Sequence, residues 1–548
     1  MIYILLSSNC RRYFETIAEN MRHILNKSGI SVQICIDKVC EYQVKPNDTC
    51  IVFWNYIKVL PRCKCIIYNF DPMVPWIVNM FNQFKPMLKS NDIVLDYCYS
   101  KENEKLMNLP ECVQYQVLPY GYSEYHEHLH KSFIKTEKTC EEDIDILFYG
   151  NVGERRSHIL NNINLMCQQK GYKIVIRNND LFLNDEKAGL INRSKIIVSI
   201  YENDAKQYKT NDLVRLSYLI SNKKFVVTEF IGDKIVEGML SKYLCYAKSP
   251  EDIVTKLDYY LQHPNERDMS QAYECFKRDF PFGSELLKFF VHPINYVIAT
   301  YSGKCYSRIR DSYSPTALEY QLKELLNVIK TKFENNLINH IQRVTIVVPQ
   351  CKPEHMPPFE GYYGDKEKWV TDFAEYGVEL EYIDYIGENN HHSYDQWIQG
   401  MKRGMENRED KIRYNVIIED DYYVRDPLFD QYLINEYNLA FADNIGYLCS
   451  LCHIGRTPIR HAAISNGMIS TETCDMYSDM LKEFYSLPKI HNFCPQLYFT
   501  MLFINRGIPI KDYSQRYNVL FWNSVRSKLE SFTENNFEKS IFIPVQQS

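Results

Sequence analysis

Three carboxylates in a row close an apolar run, where Val416-Ile417-Ile418 leads straight into Glu419, Asp420 and Asp421 before Tyr422. A buried strand ending this way sets oxygen ligands at a sheet edge, the donor type that suits Mg²⁺ or Mn²⁺. A cation there neutralises a departing diphosphate. A solvated turn after a strand would use the same residues. A second, positively charged set follows another apolar run: Gly150 ends Ile144 to Tyr149, and Arg155 and Arg156 come next, with Arg215 further on. Glycine lets backbone approach a phosphate closely, and a helix starting near Arg155 offers free N–H groups and a positive dipole end. Arginine pairs with phosphate through two parallel hydrogen bonds, so this set needs no metal. The plain alternative makes Arg155 and Arg156 a solvated first helical turn.

Other groups are weaker. Glu472 and Asp475 follow the strand-like Ala463 to Ser470 and are the candidates for a base that deprotonates an acceptor hydroxyl. Cys449-Ser-Leu-Cys452-His453 has the spacing of a haem attachment site, but it continues an apolar run and reads as a core strand. His126, His128 and His130 alternate, as ligands on one strand face would, within a Tyr/His/Glu-rich stretch that reads as a solvated interdomain loop. Ser393 after His391-His392 reads as a helix N-cap.

The elements that must hold these residues form an α/β pattern. Short β-branched runs (Ile2 to Leu6, Val32 to Asp37, Cys50 to Trp54, Cys65 to Phe70) alternate with helical segments, as in a parallel sheet with crossover helices. The pattern breaks at the polar stretch Lys135 to Asp143 and restarts at Ile144. Two Rossmann-like domains are therefore expected, 1–142 and 143–300, with ligands at the carboxyl ends of the strands. A leucine-rich stripe from Thr316 to Ile341 predicts a helical connector over 301–342, and Arg343 to Pro349 opens a third α/β domain over 343–548.

Composition excludes some classes. The 548 residues carry 63 Lys+Arg against 69 Asp+Glu, a net charge of -6, which disfavours a sequence-independent grip on nucleic acid. No run reaches the roughly 18 apolar residues of a membrane span. Met1 to Leu6 lacks a basic leader and reads as a strand. Eighteen scattered cysteines without a secretory signal point to a reducing, cytoplasmic location.

Two family resemblances add to this. The strand ending in Glu419-Asp420-Asp421 resembles the Asp-X-Asp-type motif of GT-A glycosyltransferases, with Glu-Asp-Asp in place of Asp-X-Asp. The likeness implies that Asp421 holds the metal, that Asp420 or Glu419 shares contacts to metal and ribose, that Asp384 meets the nucleotide base, and that His491 completes the metal shell. Residues 1 to about 295 resemble spore-maturation-type glycosyltransferases of the GT-B group. The matching pieces are Ile67-Tyr-Asn-Phe-Asp-Pro72, Leu95-Asp-Tyr97, Leu118-Pro-Tyr-Gly-Tyr122, Asp145 to Arg156, Arg193 to Tyr201, Asp212 to Ser217 and Phe225 to Glu229. This likeness implies a donor site at Gly150, Arg155, Arg156, Tyr201, Asp212, Arg215 and Glu229, with Asp212 and Glu229 holding donor-sugar or ribose hydroxyls.

The expectation is a GT-B half joined by a helical connector to a GT-A half. Each half would transfer a sugar from a nucleotide-sugar donor to a glycan or glycoconjugate hydroxyl, in consecutive steps, with Mn²⁺ or Mg²⁺ in the second. The alternatives are one active GT-A site beside a non-catalytic GT-B module, or a non-catalytic scaffold.

Overall fold

The computed structural model describes the chain except residues 40–43, 46–47, 72, 91, 98–100, 135–141, 179–184, 203–211, 231–233, 301–315, 350–363, 386–392, 406–411, 420–423, 425, 442–444, 454–459, 475, 477–499, 501–502, 513–516, 520–541 and 545–548. It is a mixed α/β protein with parallel sheets, and it divides into two compact units, Met1–Leu287 and Lys288–Ser548.

The first unit holds two parallel sheets. β1 (Ile2–Leu6), β2 (Val32–Ile36), β3 (Thr49–Val52), β4 (Lys64–Asn69), β5 (Ile93–Asp96) and β6 (Gln114–Val117) form a sheet in the order β2-β1-β3-β4-β5-β6. β7 (Ile144–Tyr149), β8 (Ile174–Arg177), β9 (Ser194–Ser199), β10 (Val226–Glu229) and β11 (Cys245–Ala247) form the second, in the order β11-β10-β9-β7-β8. Helices cover both faces, so the central strands are apolar throughout: every residue of β1 and of β10 is buried.

The histidine-rich stretch joins the two sheets. It is a helix, Glu124–Ile134, and not a loop, because His126 and His130 are four residues apart on one buried face. His126 Nε2 meets the Tyr120 hydroxyl at 2.9 Å, and His130 Nδ1 meets the Tyr218 hydroxyl at 2.8 Å. Burial keeps both rings neutral, with His126 pushed down to about 3 and His130 to about 4. Ser217 Oγ donates to the Tyr120 carbonyl, and Tyr122 exchanges backbone hydrogen bonds with Phe280 and Phe282. Any side chain at Gly121 would collide with the Phe280 carbonyl.

The second unit corrects the expected boundaries. β12 (Ile294–Ala299), β13 (Ile341–Pro349), β14 (Glu379–Tyr385), β15 (Tyr414–Glu419), β16 (Tyr447–His453), β17 (Arg460–Ser470) and β18 (Ile510–Asp512) form one sheet, ordered β14-β13-β12-β15-β17-β16-β18. β12 is central, bonded to β13 and β15, with Asn295 Nδ2 donating to Asn415 Oδ1 at 3.1 Å. The third α/β domain therefore starts at Lys288, not at 343. The helix Thr316–Glu334 is the crossover between β12 and β13. It buries Leu318, Leu322, Leu325 and Ile329 in that unit's core, so it is no connector. Its last turn places Lys332 Nζ on the carboxylate of Asp430, both fully buried.

Candidate functional site

In an open α/β sheet the crevice forms where successive strands wind off in opposite directions. In the five-stranded sheet that point lies between β7 and β9, since β8 sits on one side of β7 while β9 and β10 continue on the other. The residues leaving the carboxyl ends there are Tyr149-Gly150 and Ile200-Tyr201, and the arginines of the sequence analysis gather on them.

Arg155 pairs with Glu229 through both terminal nitrogens, Nη1 to Oε2 at 3.1 Å and Nη2 to Oε1, and Nη1 also donates to the Tyr201 carbonyl at 2.7 Å. Glu229 Oε2 in turn accepts the Tyr201 N–H at 2.7 Å. Arg156 is buried, with Nε on the Ile200 carbonyl at 2.9 Å and Nη1 on the Asn151 carbonyl at 2.7 Å. Arg215 reaches back from the helix Leu213–Ser221. Its Nη1 donates to the Tyr149 carbonyl at 3.3 Å, and its Nε lies 3.2 Å from Asp212 Oδ2. Asp212 is also the N-cap of that helix, accepting from the Arg215 N–H.

Gly150 has φ +141°, a conformation that L side chains avoid. A Cβ there would lie 3.5 Å from Arg215 Nη2 and 3.7 Å from Arg156 Nη1. Its N–H is spent on the Arg177 carbonyl, so the residue serves the site by leaving room for two guanidiniums. The helix Glu154–Lys170 starts at Gly153 with no side-chain cap, leaving a positive dipole end beside them. Nη2 of Arg156 and of Arg215 has no hydrogen-bond partner among the described residues. Burial, then Arg215, brings Arg156 down to about 10.

Two residues of this cleft carry no role in the sequence reading. Lys187, from the helix Asp185–Asn192, lies over the Tyr149 ring at 4.5 Å. Burial brings its ammonium down to about 7, Arg215 adding to the effect and Asp212 opposing it. Asp71 comes from the six-stranded sheet, just beyond the end of β4. Its Oδ2 accepts from Asn55 Nδ2 at 2.7 Å. Burial pushes its carboxyl up, the Asn55 contact lowers it, and Asp212 raises it again. Neither residue has a local signal, because a lysine is marked only by the ring it packs on.

The second unit has its own winding reversal, between β12 and β15, where Ala299 stands opposite Glu419. Glu419 is buried. Asp384, exposed near the end of β14, shares that edge three strands away, about 14 Å at ~4.8 Å per strand. Glu472 does not belong with them. β17 runs antiparallel to β15 and Ser470 pairs with Tyr414, so Glu472 sits at the amino end of β15, roughly 17 Å from Glu419 at ~3.3 Å per residue. Asp420, Asp421, Asp475 and His491 lie outside the described residues. Among the described residues, no group of three His, Cys, Asp or Glu could hold a metal ion. No described helix is long and apolar enough to cross a membrane.

No family model matches the chain, and no curated protein matches it. Solved structures to which the chain shows some similarity include Anabaena HepE in complex with UDP and glucose, with 8% identity and a TM-score of 0.34 over 53% of this chain and 98% of that one. An alpha-glucosyltransferase in complex with UDP and a 13-mer DNA containing a HMU base gives 10% identity and a TM-score of 0.34 over 52% and 99%. The same type of enzyme with UDP and a mismatched 13-mer gives 10% identity and 0.33 over 52% and 99%. Similarity of this size leaves substrate and residue roles to be argued from the site.

Proposed function

We propose that the chain is a nucleotide-sugar-dependent glycosyltransferase with two transfer sites, one at the carboxyl edge of each unit's winding reversal, acting in consecutive steps on a glycan or glycoconjugate hydroxyl. The observation that carries this reading is the convergence of Arg156 and Arg215 on Gly150, beside the uncapped helix start at Gly153. That is a receptor for a diphosphate. As the bond between the sugar and the diphosphate breaks, negative charge grows on the leaving oxygen, and fixed guanidiniums stabilise it without reorganising. Glu229, locked by Arg155 and the Tyr201 N–H, is placed to accept hydrogen bonds from donor hydroxyls. In the second unit Asp421 and His491, with Glu419 and Asp420, would hold Mn²⁺ or Mg²⁺, which supplies the charge neutralisation that arginines supply in the first.

One observation favours a second reading, in which only the second unit transfers sugar: Arg155 is committed to Glu229 and Arg156 in part to backbone. The deciding experiment is donor hydrolysis by the intact chain across a panel of nucleotide sugars, with Mn²⁺ or EDTA. Two activities are expected: one resists the chelator and disappears in Glu229→Ala, and the other needs the metal and disappears in Asp421→Asn. Loss of the first activity alone leaves the single-transferase reading. No hydrolysis and no donor-induced thermal shift would make the chain a scaffold.

A further inference from the structure

The amino edge of the five-stranded sheet, opposite the arginine cluster, carries a second set of cations. Lys195 lies at the start of β9, and Lys223 and Lys224 come just before β10. With Arg267, Glu142 and Asp268 they line a cavity of about 480 Å³. That is the size of a small-molecule pocket, which typically holds about 300–1,000 Å³.

The donors in this cavity outnumber their acceptors. Lys224, with only 12% of its side chain exposed, donates to the Asn192 carbonyl at 3.0 Å and stands 3.9 Å from Glu142. Burial pushes its ammonium down. Arg267 donates from Nη1 to the Lys195 carbonyl at 3.3 Å, while its Nε is buried with no hydrogen-bond partner among the described residues. Lys223 lies over the Tyr273 ring at 4.6 Å. The acids offset only part of this: Glu142, half of whose side chain is exposed, is that 3.9 Å partner of Lys224, and Asp268 accepts the Ser270 N–H at 2.9 Å. Lys195 is settled, on Asp145 at 2.6 Å. A buried donor without an acceptor is costly, and such a group calls for an explanation.

We propose that this cavity binds a small phosphate-bearing anion of the size of pyrophosphate or a hexose phosphate. Two ammoniums and a guanidinium edge offer more donors than the two oxygens of a carboxylate can take. A phosphate group brings three oxygens and close to two negative charges. Orthophosphate alone would leave most of the volume to water. The site is separate from the carboxyl edge and does not rest on the transfer reading.

The test is calorimetric titration of the full chain with inorganic phosphate, pyrophosphate, glucose 6-phosphate and glucose. Pyrophosphate or glucose 6-phosphate is expected to bind, and glucose is not. Lys224→Gln and Arg267→Gln should each weaken binding about tenfold or more, whereas Arg215→Ala at the other edge should leave it unchanged. Lys223→Gln, at an exposed position, carries the test if Lys224→Gln does not fold. Absence of binding at ~10 mM of every phosphate compound overturns the proposal. So does affinity that survives Lys224→Gln and Arg267→Gln but is lost in Arg215→Ala, which would place the anion at the donor edge.

Discussion

The two winding reversals of the molecule carry opposite charges, and on the proposed reading both would meet the same anion. Between β7 and β9 the sheet edge presents Arg155, Arg156, Arg215 and Lys187, with the acids Asp212 and Glu229 held against them. Between β12 and β15 the edge presents Glu419, leading into two more acids, and Asp384 further along. A positive edge can receive a diphosphate directly, whereas an acidic edge needs a cation between itself and the same anion. A winding reversal by itself therefore does not decide whether such a site would call for a metal; on the proposed reading, the charges at the strand ends do.

The sharpest way to break this contrast is to remove one charge from each edge. Arg215→Ala should lower chelator-resistant donor hydrolysis about 10²–10³-fold and leave metal-dependent turnover unchanged. Asp421→Asn should do the reverse, read by product formation with and without EDTA. Chelator sensitivity of the activity that Arg215→Ala removes would sink the distinction. Gly150→Ala tests the crowding of the positive edge. A Cβ at φ +141° should cost about 1–3 kcal/mol, seen as a lower Tm and a weaker donor-induced shift.

A gentler probe is pH. With Lys187 brought down to about 7, the first edge gains a positive charge below that value and loses it above. Donor affinity there should fall by up to about tenfold from pH 6 to pH 8, and Lys187→Gln should flatten the profile. The smallest effect concerns stability. His126, His130 and His340 are neutral when folded, brought down to about 3, 4 and 4, so the unfolded chain takes up more protons as pH drops below 6.5. Stability should therefore fall as pH drops from 6.5 to 5.5, by about 1 kcal/mol per histidine. The first unit, with two such rings, should lose hydrogen-exchange protection faster than the second. His130→Gln should narrow the gap.

Much of the fold was legible because parallel strands buried on both faces appear as apolar runs, and Ile2–Leu6 or Ile144–Tyr149 needs no partner to be seen. Pairing was not legible. Ile294–Ala299 belongs with strands far downstream, and nothing in its own residues says so. The Thr316–Glu334 stripe has the same helical period whether it links domains or crosses over a sheet. At the site, the order of Gly150, Arg155 and Arg215 pointed to one place, while Lys187 and Asp71 depend on contacts made only after folding. Glu472 misled because an antiparallel return strand carries its sequel back to the wrong edge.

β12 also has a consequence for how the protein is made. It is an interior strand of its sheet and the first to be synthesised, with its β15 partner at Tyr414 lying 120 residues beyond Ile294. At about 5–20 residues per second, a ribosome exposes β12 for on the order of 6–24 s before that neighbour exists. β13, from Ile341, can cover one edge of β12 earlier, while the edge that β15 will take stays open for the whole interval. Slow stretches of translation or a bound chaperone between residues 300 and 414 would thus govern the yield of the second unit far more than that of the first.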